Sequence, residues 1–272
     1  MTVTLADRIP AITDSLDKAK SDIAEHGVAI LSGVLSPSEL KTLRDAVYAE
    51  AEADRRTGRA DDPYFADAML GNPSQHVWNL PSRSQLYCDL AVHPVVMDLV
   101  KSFVGGGIRL STFSANITLP GSGMMHLHAD QGTNPQPWGE KPHGLNFIWC
   151  IDDFLDETGA TRMVPGSHRL NRSAASMEEI MSETVAVEAP AGSLIVMESR
   201  VWHKTGANST KDRKRAAVLD RRCQSDRHYR TTDGIPLRLR CRAKAGASQM
   251  HLPAMPPGQG PSRGPSVEAQ PR

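Results

Sequence analysis

From Ile108 onward the chain changes period, and that change limits the folds open to it. Before it, Ile12, Leu16, Ala19 and Ile23 recur at helical spacing, predicting a helix over about residues 13–26 with Gly27 at its exit. Val28–Leu31 reads as a short buried strand. Ser36-Pro37-Ser38-Glu39 combines an N-cap serine, a first-turn proline and a glutamate three residues on, which starts a second helix. Leu40, Leu43, Val47 and Ala51 carry its apolar stripe to about residue 54. A third helix is expected over 84–103, with Pro94 opening its second half. After Ile108, strands are expected at 108–119, 123–130, 145–153, 161–164, 184–188, 193–197, 199–203 and 215–219, separated by Gly, Pro or Asn turns. Helices followed by many short strands predict a mainly-β protein with flanking helices, its core a double-stranded β-helix (a cupin-like jelly roll).

The polar stretch 55–83 is long for a connection and reads as a binding loop or lid. Within it, residues 61–80 are expected to help line a substrate pocket, with Tyr64, Phe65, His76 and Trp78 as the candidates. The 272 residues suffice for one sizeable core with extensions. No basic stretch leads into an apolar run at the N-terminus, and nowhere do about 18 apolar residues follow one another. The expectation is a cytoplasmic protein with no membrane association. Cys88, Cys150, Cys223 and Cys241 lack C-x-x-C spacing, which argues against a zinc ribbon or a disulfide frame.

Formal charge sums to zero but is lopsided. Residues 1–210 carry 17 basic and 26 acidic side chains; residues 211–245 carry 12 and 4. Such a basic block can mark a nucleic-acid arm. Here it merges into Pro/Gly-rich text with no apolar period, which is what an out-of-frame read of GC-rich coding DNA gives. A domain over 1–220 and a divergent, disordered tail over 221–272 are therefore expected, and nucleic acid is not the favoured partner.

The chemistry sits in His128-Ala129-Asp130 and in His203, 73 residues after the aspartate. Two imidazoles and one carboxylate fit one face of an octahedral metal and leave three positions open, the facial triad of non-haem iron oxygenases. On a strand, residues i and i+2 share a face, so His128 and Asp130 can reach one ion together. Alone, H-x-D is equally an ordinary polar strand; its surroundings decide.

Those surroundings are Leu119-Pro-Gly-Ser-Gly-Met-Met-His-Leu-His128, an Asp-rich strand end at Asp152-Asp153, Glu157-Thr-Gly-Ala160, Val164-Pro-Gly-Ser-His168, Gly192-Ser-Leu194, and Trp202-His203 followed by Gly206-Ala-Asn208. In this order and spacing they resemble the phytanoyl-CoA dioxygenase family of Fe(II)/2-oxoglutarate oxygenases, over about residues 20–218. The resemblance implies that His128, Asp130 and His203 bind iron, and that O2 and 2-oxoglutarate are consumed. It implies that a basic residue 10 to 12 positions after the distal histidine holds the distal carboxylate of 2-oxoglutarate. Arg213, Lys214 and Arg215 fall in that window; Arg215 best fits the strand phase, Arg213 comes second, and an arginine fork suits a carboxylate better than lysine. Asn116 is a further cosubstrate contact, and Trp78 and His76 are substrate candidates. No catalytic side chain beyond the metal ligands is expected. The implied reaction is hydroxylation, or another oxidation, of an unactivated C–H bond in a small organic molecule, with succinate and CO2 as co-products.

Two other readings stay open at this point. His126-Leu-His128-Ala-Asp130 also matches most of the H-x-H-x-D-H signature of metallo-β-lactamase-type zinc hydrolases, with Gln131 in place of the last histidine. The divergent text after Leu219 admits a catalytically inactive, dioxygenase-like binding protein. His168 reads as a turn residue rather than a ligand.

Overall fold

A computed structural model describes residues 9–60, 69–71, 74–174 and 184–224. Ser15 caps α1 (Leu16–His26), which exits at Gly27 with φ +79°. Strand β1 (Val28–Leu31) follows directly. Ser36 and Glu39 close a reciprocal capping box on α2 (Pro37–Arg56), with proline in the first turn. The region expected to be one helix over 84–103 is two, α3 (Gln85–Ala91) and α4 (Pro94–Phe103). Pro94 has no N–H and forces His93 out of the α region, to φ −56°, ψ 133°.

The strands form an antiparallel six-stranded sheet in the order β1, β9 (Leu194–Glu198), β6 (Gly144–Cys150), β11 (Arg215–Gln224), β4 (Ile108–Thr118), β3 (Gln75–Val77). A three-stranded sheet is ordered β10 (His203–Thr205), β7 (Thr161–Met163), β8 (Val185–Ala186), and β2 (Met69–Leu70) pairs with β5 (Met124–Met125). Alternation assigns the two faces of the large sheet. Leu145, Phe147 and Trp149 of β6, Phe113, Ala115 and Ile117 of β4, and Ala216 and Val218 of β11 bury against α1 to α4. Ile148 and Cys150, Ile195 and Met197, and Ala217 face inward onto Met163, Val187, Phe154 and Val201 of the smaller sheet and its loops. Each large apolar side chain so buried contributes about 1.5–3 kcal/mol, which makes this double layer the main source of stability. The expected jelly roll backed by helices is the fold.

Two expectations are corrected. The strand predicted over 123–130 is regular only at Met124–Met125; Ala129 stays extended, and Asp130 opens a 3-10 turn, Asp130–Thr133. Between Met125 and Asp130 the only ladder contact among the described residues is the isolated bridge of His128 to His203. The final strand does not stop near residue 219 but runs through Arg221, Arg222 and Cys223 to Gln224, paired with β4 on one side and, as far as Cys223, with β6 on the other. The boundary placed at 220 therefore falls inside a sheet strand. Residues 225–272, Tyr64 and Phe65 lie outside the described residues. No described helix is long and apolar enough to cross a membrane.

Candidate metal centre

His128 and His203 meet across an isolated antiparallel bridge, and their ring centroids are 4.5 Å apart. Asp130 completes the group: its Oδ1 is 3.9 Å from His128 Nε2 and its Oδ2 is 3.7 Å from His203 Nε2. One donor atom from each of the three lies within 4.8 Å of the others. Three donors bound to one ion at about 2.1 Å sit roughly 3 Å apart, so a closure of about 1 Å completes the site.

Both imidazoles are set for the task from behind. His128 Nδ1 donates to its neighbour His126's carbonyl at 2.9 Å, and His203 Nδ1 donates to the Val201 carbonyl at 2.9 Å. With Nδ1 carrying the proton, each Nε2 presents a lone pair to the same point. Burial, reinforced by the neighbouring His128, pushes His203 down to about 4, so its ring is neutral at pH 7. Burial alone raises the Asp130 carboxyl, but Arg221, the two imidazoles and the Asn146 amide outweigh it and hold it at about 2. Two imidazoles and an ionised carboxylate form the donor set that a divalent first-row metal takes, with open positions on the far side.

The local sequence explains this placement. Leu127 and Ala129, alternating with the two ligands, bury against Trp138 and Trp202. The Val164-Pro-Gly-Ser-His168 turn fixes His203 through Ser167: the Trp202 N–H donates to Ser167 Oγ at 2.9 Å, and Ser167 Oγ donates to the Val164 carbonyl at 2.7 Å. Gln131, almost fully buried, ties the ligand loop down. Its N–H donates to the Ser199 carbonyl at 2.9 Å, and its Oε1 accepts from the His143 N–H at 3.0 Å and from Ser199 Oγ at 3.1 Å. Sequence reading gave these residues no role; their hydrogen bonds span distant segments and have no local signature.

The same contacts dispose of the zinc-hydrolase reading. His126 is exposed and outside the donor cluster, and Gln131, at the position of the missing histidine, has its side-chain oxygen committed to His143 and Ser199.

A second buried polar cluster surrounds Arg215 at the start of β11. Arg215 is 2% exposed, its guanidinium 4.4 Å over the Phe154 ring. Its Nη2 donates to the Gly159 carbonyl and its Nη1 lies 3.4 Å from Asn116 Oδ1, while Nε has no partner. It makes no ion pair with any described residue, and burial pushes it down to about 10. Asp152, which forms no ion pair with it, offsets only part of that burial, and a carboxylate ligand would remove the remaining cost. Asn116 Nδ2 is 2.7 Å from His76 Nε2, and the His76 ring stacks on Trp78 at 5.3 Å. The proposed cosubstrate and substrate residues thus form one contiguous chain, Arg215–Asn116–His76–Trp78. Arg213 is elsewhere: its half-exposed guanidinium pairs with Glu157 at the surface. The Gly206-Ala-Asn208 motif sets the start of β11, since Asn208 Nδ2 donates to the Arg213 carbonyl at 2.8 Å.

The profile of the phytanoyl-CoA dioxygenase family matches residues 23–216. Dioxygenase af480 of Aspergillus fumigatus is 32% identical over 218 residues, covering 79% of this chain and 69% of that protein. Dioxygenase FUM3 of Gibberella moniliformis is 32% identical over 220 residues, covering 76% and 72%. Among solved structures, the epimerase SnoN in complex with Fe3+, alpha-ketoglutarate and nogalamycin RO superposes with a TM-score of 0.60 at 22% identity, covering 77% of this chain and 83% of that one. HygX from Streptomyces hygroscopicus, with nickel, 2-oxoglutarate and hygromycin B bound, gives 0.58 at 16% identity, covering 76% and 87%. At those identities the two structures speak for the fold.

Proposed function

The chain belongs to the phytanoyl-CoA dioxygenase family, and from that premise we propose that His128, Asp130 and His203 hold one iron ion while Arg215 and Asn116 hold 2-oxoglutarate beside it. The observation that carries this reading is the convergence of three donors within 4.8 Å, both histidines having their second nitrogen committed to a backbone carbonyl. Iron so held, with 2-oxoglutarate and O2, supplies an oxidant for an unactivated C–H bond and leaves succinate and CO2.

The protein's own residues do the rest. Arg215 offers Nε, which lacks a partner, and the edge of a guanidinium fork to the distal carboxylate, in a pocket closed from water by Phe154. Arginine keeps its charge even at about 10, so the pocket stays cationic at working pH. Asn116 is steadied by His76, so His76 is read as support for the cosubstrate, and Trp78, half-buried and stacked on it, as the better substrate contact. β2 and β5 bring Leu70, 53% exposed, beside Met124 and Met125, with Met125 Sδ accepting from Thr205 Oγ1 at 3.4 Å. These flexible side chains, joined through Thr205 to β10 two residues along from His203, favour a small organic substrate with some apolar surface. The reaction is hydroxylation, or a related oxidation, of such a molecule.

The test is succinate formation from 2-oxoglutarate by protein loaded anaerobically with Fe(II) and then given O2, with His203→Ala in parallel. Succinate from the wild type but not the variant supports the reading; equal traces from both refute it.

A further inference from the structure

Arg221 lies in the basic stretch that reads, as sequence, like the start of a tail, yet its side chain points at the metal centre. Along β11 the inward positions are 215, 217, 219 and 221; Ala217 belongs to the inner core and Leu219 packs against it, and Arg221 closes the row at the triad end. Its register partner on β6 is Asn146, also inward. The two side chains converge on Asp130. Arg221 Nη2 donates to the Asp130 backbone carbonyl, and Nη1 is 3.9 Å from Oδ1. The Asn146 amide donates to Oδ2. Asp130 begins a short 3-10 turn rather than sitting in a ladder, so no regular strand pairing fixes its backbone or its carboxylate. The next residue in the row of arginines, Arg222, faces the other way, bonded to Asp220 and to the Ala91 carbonyl.

We propose that Arg221 is a positioning residue of the metal centre: it pins the backbone of Asp130 while Asn146 orients the carboxylate, so that one oxygen is presented to the ion. The proposal rests on the triad reading above. It has a sign that separates orientation from charge. By Coulomb's law alone a guanidinium this close to a divalent ion weakens metal binding, so its removal tightens it. If Arg221 orients the ligand, its removal weakens binding instead, by the 10–100-fold typical of partners behind a metal ligand.

The experiment titrates Co(II) alone into the wild-type protein, Arg221→Met, Arg221→Lys and His203→Ala, reading affinity by calorimetry and coordination by the visible ligand-field spectrum. The expected result is roughly 10–100-fold weaker binding and an altered spectrum in Arg221→Met, with part of the affinity recovered in Arg221→Lys. Lysine keeps a donor and the charge, and so serves if the methionine variant does not fold. Wild-type affinity or tighter binding in the Arg221 variants, with an unchanged spectrum, overturns the positioning role and leaves the triad standing. Absence of Co(II) binding by the wild type, equal to His203→Ala, overturns both.

Discussion

The backbones of His128 and His203 are hydrogen-bonded to each other in both directions, N–H to carbonyl, at 3.0 and 2.8 Å. Two of the three proposed ligands are thus held together by the main chain, independently of their side chains. His203→Ala is therefore expected to keep the fold and lose the metal. Co(II) or Fe(II) affinity falls by more than about 100-fold, beyond what outer partners contribute, while the thermal melt of the metal-free protein shifts by only a degree or two. A variant that unfolds would show instead that the rings are structural.

Arg215 sets function against stability. As a buried cation with no ion pair among the described residues, its burial only partly offset by the charge of Asp152, it destabilises the ligand-free fold, while a bound carboxylate compensates it. Arg215→Met is expected to raise the melting temperature of the ligand-free protein and to raise the KM for 2-oxoglutarate on the order of 100-fold, equivalent to losing one charged bidentate contact. Arg213→Ala, which breaks only the surface pair with Glu157, is expected to change stability by less than about 0.5 kcal/mol and KM not at all. Melting curves and KM values for the two variants check this; a KM effect at Arg213 instead of Arg215 inverts the assignment.

The sequence displayed the parts of this molecule whose rules are local. The capping box at Ser36 and Glu39, the helix exit at Gly27 and the alternation along β4, β6 and β11 follow from spacing alone. The three candidate ligands stand out only through the motifs around them, since H-x-D alone is equally an ordinary polar strand; the fold brings their donor atoms within 4.8 Å. Strand phase separates Arg215 from Arg213, and the one is buried while the other pairs with Glu157 at the surface. What spacing could not show is the support behind the site. Ser167, Gln131 and Asn146 act through partners 35, 68 and 16 positions away. Arg221 and Arg222 look alike in a basic run, yet β11 turns one to Asp130 and the other to Asp220. Composition counts both as tail; only pairing with β4 and β6 separates them.

Gly27 joins α1 to β1 at φ +79°, and a Cβ there would lie 2.6 Å from Val201 Cγ2 and 2.7 Å from His168 Nδ1. Both neighbours are buried, so neither gives way cheaply. Gly27→Ala combines left-handed strain of about 1 kcal/mol with overpacking of about 1–3 kcal/mol. The expected loss is roughly 2–4 kcal/mol in a urea melt. Because Val201 accepts the His203 Nδ1 proton, metal affinity is expected to drop in the same variant, and a destabilised protein with unchanged affinity would show that the strain does not reach the ligand.

His168 gives the fold a pH dependence of definite sign. It is 3% exposed, and burial, with Arg169 and Arg200 nearby, outweighs the pull of the Ala24 carbonyl and pushes it down to about 4. Unfolded, an imidazole titrates near 6.5. Between those values the unfolded chain binds the proton and the folded one does not, so stability is full above about 6.5 and declines as pH falls toward 4. His168→Phe removes the titrating group from that site while filling a similar volume. It is expected to flatten the stability–pH curve between about 6.5 and 4 relative to wild type, as read from denaturant melts at a series of pH values. A variant curve that keeps the wild-type slope would assign the dependence to other groups.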